Sequence, residues 1–290
     1  MANTITLKRR IGSVKNTKQI TKAMELVAAS KMRRAQERAL SGRTYREFAY
    51  SLLTRLSAIT EVSEHPLFAT RTVKSRLYIV ITSNGTLAGA YNANIIRMLT
   101  RSIIADQKAG IKTQVIAIGK QGAKFIQRID GVDLIAAYTE LPDGPDANDI
   151  RPILDTAVEM YRSLNIDNVT LLYTQFKSNL VQEATTLSLL PATFESTEDP
   201  ASSLDNTTFE PSIEVVLDNV TERLLEVQVW QALLESLASE HSMRMMAMKS
   251  ASDNATDIIA DLTLEFNTAR QAAITQELAE ITGGAEAIKG

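Results

Sequence analysis

From Ser212 to Thr282 the chain runs 71 residues without a glycine or a proline. A continuous helix of that length, at ~1.5 Å per residue, spans roughly 105 Å. That exceeds the diameter of a globular domain, so the segment predicts a rod. Pro211 followed by Ser212 supplies an entry signal, and Gly283-Gly284 a stop. The other end of the chain has the same character. No proline precedes Pro66, and only Gly12 and Gly42 interrupt residues 1–64, which are rich in strong helix formers. A second long helix is expected there.

Between the two helices the pattern changes. RLYIVIT (76–82), TQVIAIG (113–119), NVTLLYTQF (168–176) and TTLSLLPA (185–192) read as short apolar strands, with helical stretches at 91–108, 120–129 and 150–164. Alternating strands and helices predict a small, largely parallel α/β domain. The expected organisation is an N-terminal helix over 1–60, the α/β domain over 74–192, a polar connector over 193–211 and the C-terminal helix over 212–284. In fold-class terms this is α/β, with two long end helices flanking an inserted module.

Both end helices carry a stripe. Leu237, His241, Met245, Met248, Ser252, Ala255, Ile259, Leu262, Phe266, Ala269 and Ala273 follow alternating steps of four and three, the spacing of a coiled-coil seam. Val14, Thr17, Thr21, Met24, Ala28, Lys31 and Ala35 form a similar stripe near the start. Small seam residues let helix axes approach closely but bury little area at ~25 cal/mol per Å². A single chain with a stripe at each end satisfies both by antiparallel pairing. Self-dimerisation is the structural competitor.

Several chemistries are excluded or weakened. The absence of Cys removes disulfides, thiolate nucleophiles and thiolate ligands. His65 and His241 are the only imidazoles, too few for a histidine-rich metal site. The turn TSNGTLAGA (82–90) follows a strand and opens a helix, yet it lacks a Lys-Ser/Thr after its last glycine and the dinucleotide glycine spacing. A tight turn is the better reading, and the same holds for IGKQGAKF (118–125). Methionines in MRMMAMK (243–249) read as core filling, and His241 as a packed seam residue. No nucleophile, base and orienter assemble, and no cofactor is implied. No run reaches the ~18 apolar residues of a membrane span, and MANTITLKRR lacks the apolar segment of a signal peptide. A cytoplasmic location is the default.

The net charge of -3 conceals an asymmetry. Residues 1–46 hold 12 Lys or Arg against Glu25 and Glu37, a balance of +10. The charges encircle the helix and no aromatic precedes Tyr45, which argues against nucleic acid and for an acidic protein partner.

IGSVKNTKQITKAMELVAASKMRRAQ (11–36) and SLASEHSMRMMAMKSASDNATDIIADLTLEFNTARQAAITQELAEITGGAEAI (236–288) resemble the two signature ends of the gamma subunits of F-type ATP synthases. The resemblance covers the chain in order. It implies a long antiparallel coiled coil of N- and C-terminal helices with an inserted Rossmann-like α/β domain. Its function would be that of a noncatalytic central-stalk rotor, one copy per complex. The shaft would thread a hexamer of alpha and beta subunits, and the α/β domain would sit with the epsilon subunit over the c-subunit ring. Ion flow through that ring would be coupled to ATP synthesis at beta, at the cytoplasmic face of a bacterial membrane, with the chain attached peripherally. By the same resemblance Arg270, Gln271 and Thr275 would hydrogen-bond a loop of beta, and Lys22 and Met24 would lie near its acidic lever. Phe209 and Glu210 would belong to the foot that meets the c ring and epsilon. The family usually has an Asp-Arg-Gly-Leu-Cys-Gly-Gly type turn, where Asn84–Ala90 stand here. An elongated coiled-coil scaffold is the alternative.

A rotor without its own chemistry makes a direct prediction. The purified chain alone should hydrolyse no ATP, and clear ATPase activity in a contaminant-free preparation would overturn the noncatalytic reading.

Overall fold

The computed structural model describes residues 2–41, 65–142, 144–192 and 212–289. The elements in chain order are α1 (Ala2–Ser41), β1 (Ser75–Ile81), α2 (Tyr91–Lys108), β2 (Lys112–Ile118), α3 (Lys120–Ile126), β3 (Asp133–Tyr138), α4 (Ala147–Arg162), β4 (Asn168–Phe176), β5 (Gln182–Leu190) and α5 (Ile213–Lys289). They form two long end helices and a central mixed sheet, the expected α/β class. Two compact units divide the chain: one of residues 1–29 with 244–290, the other of residues 30–243.

The sheet of the second unit has the order β3-β2-β1-β4-β5. β1 pairs parallel with β2 on one side and β4 on the other, β2 pairs parallel with β3, and β4 turns back into antiparallel β5. Because β1 lies centrally and both faces are covered, it reads as a continuous apolar run instead of an alternating one. Period-2 geometry then sorts its side chains. Leu77, Ile79 and Ile81 join Ile116 and Leu171 under α4 and the early part of α5, supplied by Ile153, Ala157, Tyr161, Leu225, Val229 and Leu233. Tyr78 and Val80 face the opposite layer, with Ile95, Leu99 and Ile103 of α2 and Ala123 and Ile126 of α3.

β3 was not among the four strands legible in the sequence. Its residues DLIAAY alternate between exposed and half-buried at the sheet edge, with neither the length nor the β-branched content that marked the inner strands. The α4 start also falls earlier than expected. Asp146 accepts from the Asn148 and Asp149 backbone N–H groups, while Asp149 accepts from the Asp146 N–H at 2.8 Å. That capping box fixes the helix entry.

A second difference concerns the expected stop. α5 continues through Gly283 and Gly284 to Lys289. Neither glycine adopts a positive φ, and a Cβ on either would meet nothing within 4 Å. The pair therefore weakens the helix by roughly 1 kcal/mol per residue without forming a left-handed cap. The expected continuation of the first helix beyond Ser41 falls outside the described residues.

One buried polar group ties the sheet to α2. Asp106 is 2 % exposed; its two oxygens accept from Arg76 Nη1 at 2.5 Å and Tyr78 Oη at 2.7 Å. Burial chiefly, with the hydrogen bond to Asp106, holds the Tyr78 phenol above its ordinary pKa. The neutral phenol is thus favoured in the folded state, so the unfolded chain loses its proton first as pH rises. Stability from this site is complete below about pH 10 and declines above it. In urea titrations of the isolated chain, the midpoint should fall above that pH and Tyr78→Phe should flatten the slope. An identical alkaline slope in the variant would refute the assignment.

The β2–α3 junction demands a glycine. Gly119 sits at φ +96°, and a Cβ there would lie 2.2 Å from the Thr82 carbonyl oxygen. Gly119→Ala should lower stability by more than about 1 kcal/mol, measured as a reduced urea midpoint with unchanged slope; wild-type stability would contradict the packing described.

Candidate functional site

In the first unit the end helices meet along the expected stripes, as an antiparallel pair. On α1, Leu7, Thr21 and Ala28 are buried and Val14 and Met24 half-buried; Thr17 is exposed, its place on the stripe taken by half-buried Lys18. On α5, Met248, Ser252 and Ala255 are buried, and Met245, Ile259, Leu262, Phe266, Ala269 and Ala273 are half-buried. Between Thr256 and Ala285 only those seam positions are less than exposed. The seam of steps four and three thus mixes large side chains such as Leu262 and Phe266 with small ones such as Ser252 and Ala269.

The outer surface of this pair is polar but internally satisfied. Thr256, Thr263, Thr268, Thr275 and Thr282 each donate to the carbonyl four residues earlier, at 2.6–3.0 Å. Such back-bonding consumes the hydroxyl proton within the helix. The threonines therefore add width and hydration without offering a donor to a neighbour. Arg270, Gln271 and Thr275 are all exposed, and Thr275 Oγ1 is held by the Gln271 carbonyl at 2.9 Å. Arg270 and Gln271 retain side chains projected from a rigid helix. On α1, Lys22 Nζ donates to both Glu25 carboxylate oxygens at 3.0 Å. An exposed pair at this spacing is worth ~0.3–0.5 kcal/mol and yields readily to a stronger acidic partner. Met24 is half-buried on the stripe, whereas Lys22 is exposed beside it. Phe209 and Glu210 lie outside the described residues.

One feature of this surface was missed on the sequence. Ile258, Leu264, Ile274, Leu278 and Ile281 on α5, and Ile5, Ile20, Leu26 and Val27 on α1, are all at least 47 % exposed. Each falls off its helix's four-and-three stripe, so the signal was present once the seam had been drawn. They stand singly along the two helices and form no contiguous apolar patch by sequence position, so each offers only a small apolar contact.

The turn at the carboxyl end of β1 has the position of a phosphate loop but not the free donors. The first three backbone amides of α3, from Lys120, Gln121 and Gly122, donate to Asn84 Oδ1, the Ser83 carbonyl and Thr82 Oγ1 at 2.9–3.1 Å. The Ser83 amide is taken by Asn92 Oδ1 at 3.0 Å. An anion would have to displace this whole set. The crevice beyond these strand ends, where α/β sheets bind ligands, contains a cavity of about 100 Å³ lined in part by Thr82, Tyr138, Leu233, Leu237, Glu240 and His241. Leu233, Leu237, Glu240 and His241 of α5 form part of that lining, and His241 is buried there at 8 % exposure. Among the described residues no cluster of His, Asp or Glu is placed to hold a metal ion, and no helix is long and apolar enough to cross a membrane.

Known proteins share this architecture throughout. The family model described as ATP synthase matches residues 3–288. The chain is 41 % identical over 288 residues to the ATP synthase gamma chain of Heliobacterium modesticaldum, covering 97 % of this chain and 98 % of that one. It is 43 % identical over 296 residues to that of Herpetosiphon aurantiacus, covering 99 % of each. Among solved structures, the central stalk and c ring of the Tetrahymena thermophila mitochondrial ATP synthase contain a chain 26 % identical, with TM-score 0.63, covering 80 % of this chain and 99 % of that one. A Euglena gracilis mitochondrial ATP synthase chain, 17 % identical, shares the fold at TM-score 0.67 over 99 % of this chain and 95 % of its own. Matched from end to end at this identity, the chain belongs to the ATP synthase gamma-chain family, the rotor subunits of the enzyme's central stalk.

Proposed function

We propose that this rotor is noncatalytic and works entirely through contacts. Its end helices would turn inside a hexamer of alpha and beta subunits, while the α/β domain would meet epsilon and the c-subunit ring, at the cytoplasmic face of the membrane. Proton or sodium flow through that ring would drive the rotation that cycles the beta sites. In this reading residues 1–60 and 212–284 are the shaft, 74–192 the domain and 193–211 the foot, with Phe209 and Glu210 toward the ring and epsilon.

The observation that supports it best is the surface of the helix pair. A shaft that stops at equivalent positions must not bind any of them deeply, because each step would have to break what the last one made. Isolated apolar side chains such as Ile274 and Leu278, separated by back-bonded threonines, give shallow contacts. Arg270 and Gln271 add polar bonds that re-form at each stop, and exposed Lys22 offers the acidic lever of beta an alternative to Glu25. The +10 balance of residues 1–46 supports the same partner through long-range attraction.

Arg270→Ala combined with Gln271→Ala tests the assignment. Hydrogen bonds to charged groups contribute ~1.5–3 kcal/mol, so the double variant should lower coupled ATP synthesis in membranes roughly tenfold or more, while circular dichroism of the isolated chain stays unchanged. Normal synthesis would remove these residues from the contact. Co-expression with alpha and beta subunits of the same organism checks the partners. The chain should co-purify through a tag on beta; a stable elongated self-dimer that fails to join would favour a scaffold.

A further inference from the structure

α5 crosses the β4–β5 hairpin with serines at 236, 239 and 242, and all three are fully buried. The Thr174 backbone N–H donates to Ser236 Oγ at 2.9 Å, and Ser239 Oγ donates to the Thr174 carbonyl at 3.2 Å. Ser242 Oγ donates to the Asn179 carbonyl at 3.0 Å and accepts from Gln182 Nε2 at 3.2 Å. The position of these bonds has a geometric origin. The β1–β4 ladder ends at Val80 and Leu172, whereas β4 runs on to Phe176. Past the end of β1, the Thr174 N–H and C=O have lost their strand, and the helix supplies Ser236 and Ser239 in its place.

Against the sheet itself this part of α5 is held differently from its start, where Glu226 and Trp230 bond Arg151 and the Pro145 carbonyl away from the strands. Farther toward the start of α5, Leu225, Val229 and Leu233 bury apolar surface against the sheet. Apolar burial resists separation but is non-directional, so it opposes rolling and sliding weakly. Hydrogen bonds require alignment and resist both. Resting on the rotor reading above, we infer that Ser236, Ser239 and Ser242 form the torsional joint that fixes α5 to the α/β domain, so that rotation of the domain becomes rotation of the helix. They are positioning residues, since none need touch a partner subunit.

The test uses the complete complex, with the alpha and beta hexamer fixed to a surface. Because the chain has no Cys, Lys108→Cys at the exposed end of α2 gives a single attachment point for a bead on the α/β domain. Angular variance is recorded during the pauses between steps, together with rotation under viscous load. Ser236→Ala with Ser239→Ala removes two of the four bonds from the serines to β4 and the hairpin, and the variance should rise toward about twofold, the limit reached if those four bonds set the torsional stiffness. Loaded rotation should slow while unloaded ATP hydrolysis is unchanged. Val229→Ala, in the apolar part of the same interface, should lower the melting midpoint yet leave the variance at the wild-type value. Should the double variant fail to assemble, Ser242→Ala, which also loses two bonds, should broaden the variance in the same way. Wild-type variance in the serine variants, or equal broadening in Val229→Ala, would overturn the joint. Absence of rotation in the wild-type complex would overturn the rotor reading and the joint with it.

Discussion

Everything in this molecule depends on one helix doing two kinds of packing. The early part of α5 presents Leu225, Val229 and Leu233 to the sheet, the chemistry of an ordinary globular core. Beyond His241 the same uninterrupted helix presents Met248, Ser252 and Ala255, a narrow stripe suited to one partner helix. The serines at 236, 239 and 242 lie where one regime gives way to the other, and their side chains are small enough for the helix to reach backbone groups of β4 and the hairpin. A proline in this span would kink or break the helix, and a glycine would weaken it by about 1 kcal/mol.

The α/β domain has a sheet order in which ligands commonly bind at the strand ends. Its sheet order creates a crevice at the strand ends, the usual location of a nucleotide. Here α5 lines part of the crevice, and the amides at the start of α3 are spent on Thr82, Ser83 and Asn84. The same hydrogen bonds that deny a phosphate its donors hold the β1 turn against α3, with Gly119 required for the close approach to Thr82.

Much of this was legible in residue order. The four-and-three stripe on α5 matched the burial pattern down to Ala273, because a seam with a single partner has no other way to hide its side chains. β1, β2 and β4 were legible as apolar runs because both of their faces are covered. β3 was not, since an edge strand needs little apolar content and DLIAAY shows only weak alternation. Gly283-Gly284 looked like a cap, but a cap requires a left-handed residue and those glycines remain helical. Of the candidate contact residues, Arg270, Gln271 and Thr275 were placed by resemblance; their exposure, and the off-stripe isoleucines and leucines around them, emerged from the paired helices.

The sequence by itself determined the long helices, the inserted α/β domain, the basic first helix and the absence of cysteine chemistry. These follow from propensity, periodicity and composition, which act locally along the chain. Only the tertiary structure decided that β1 ends before β4, that serines of α5 take the vacated ladder positions and that the turn at Thr82–Asn84 consumes the amides of α3. Those outcomes join residues as far apart as Thr174 and Ser239, and hydrogen bonds between distant segments leave no period in a sequence because nothing in either segment alone requires them.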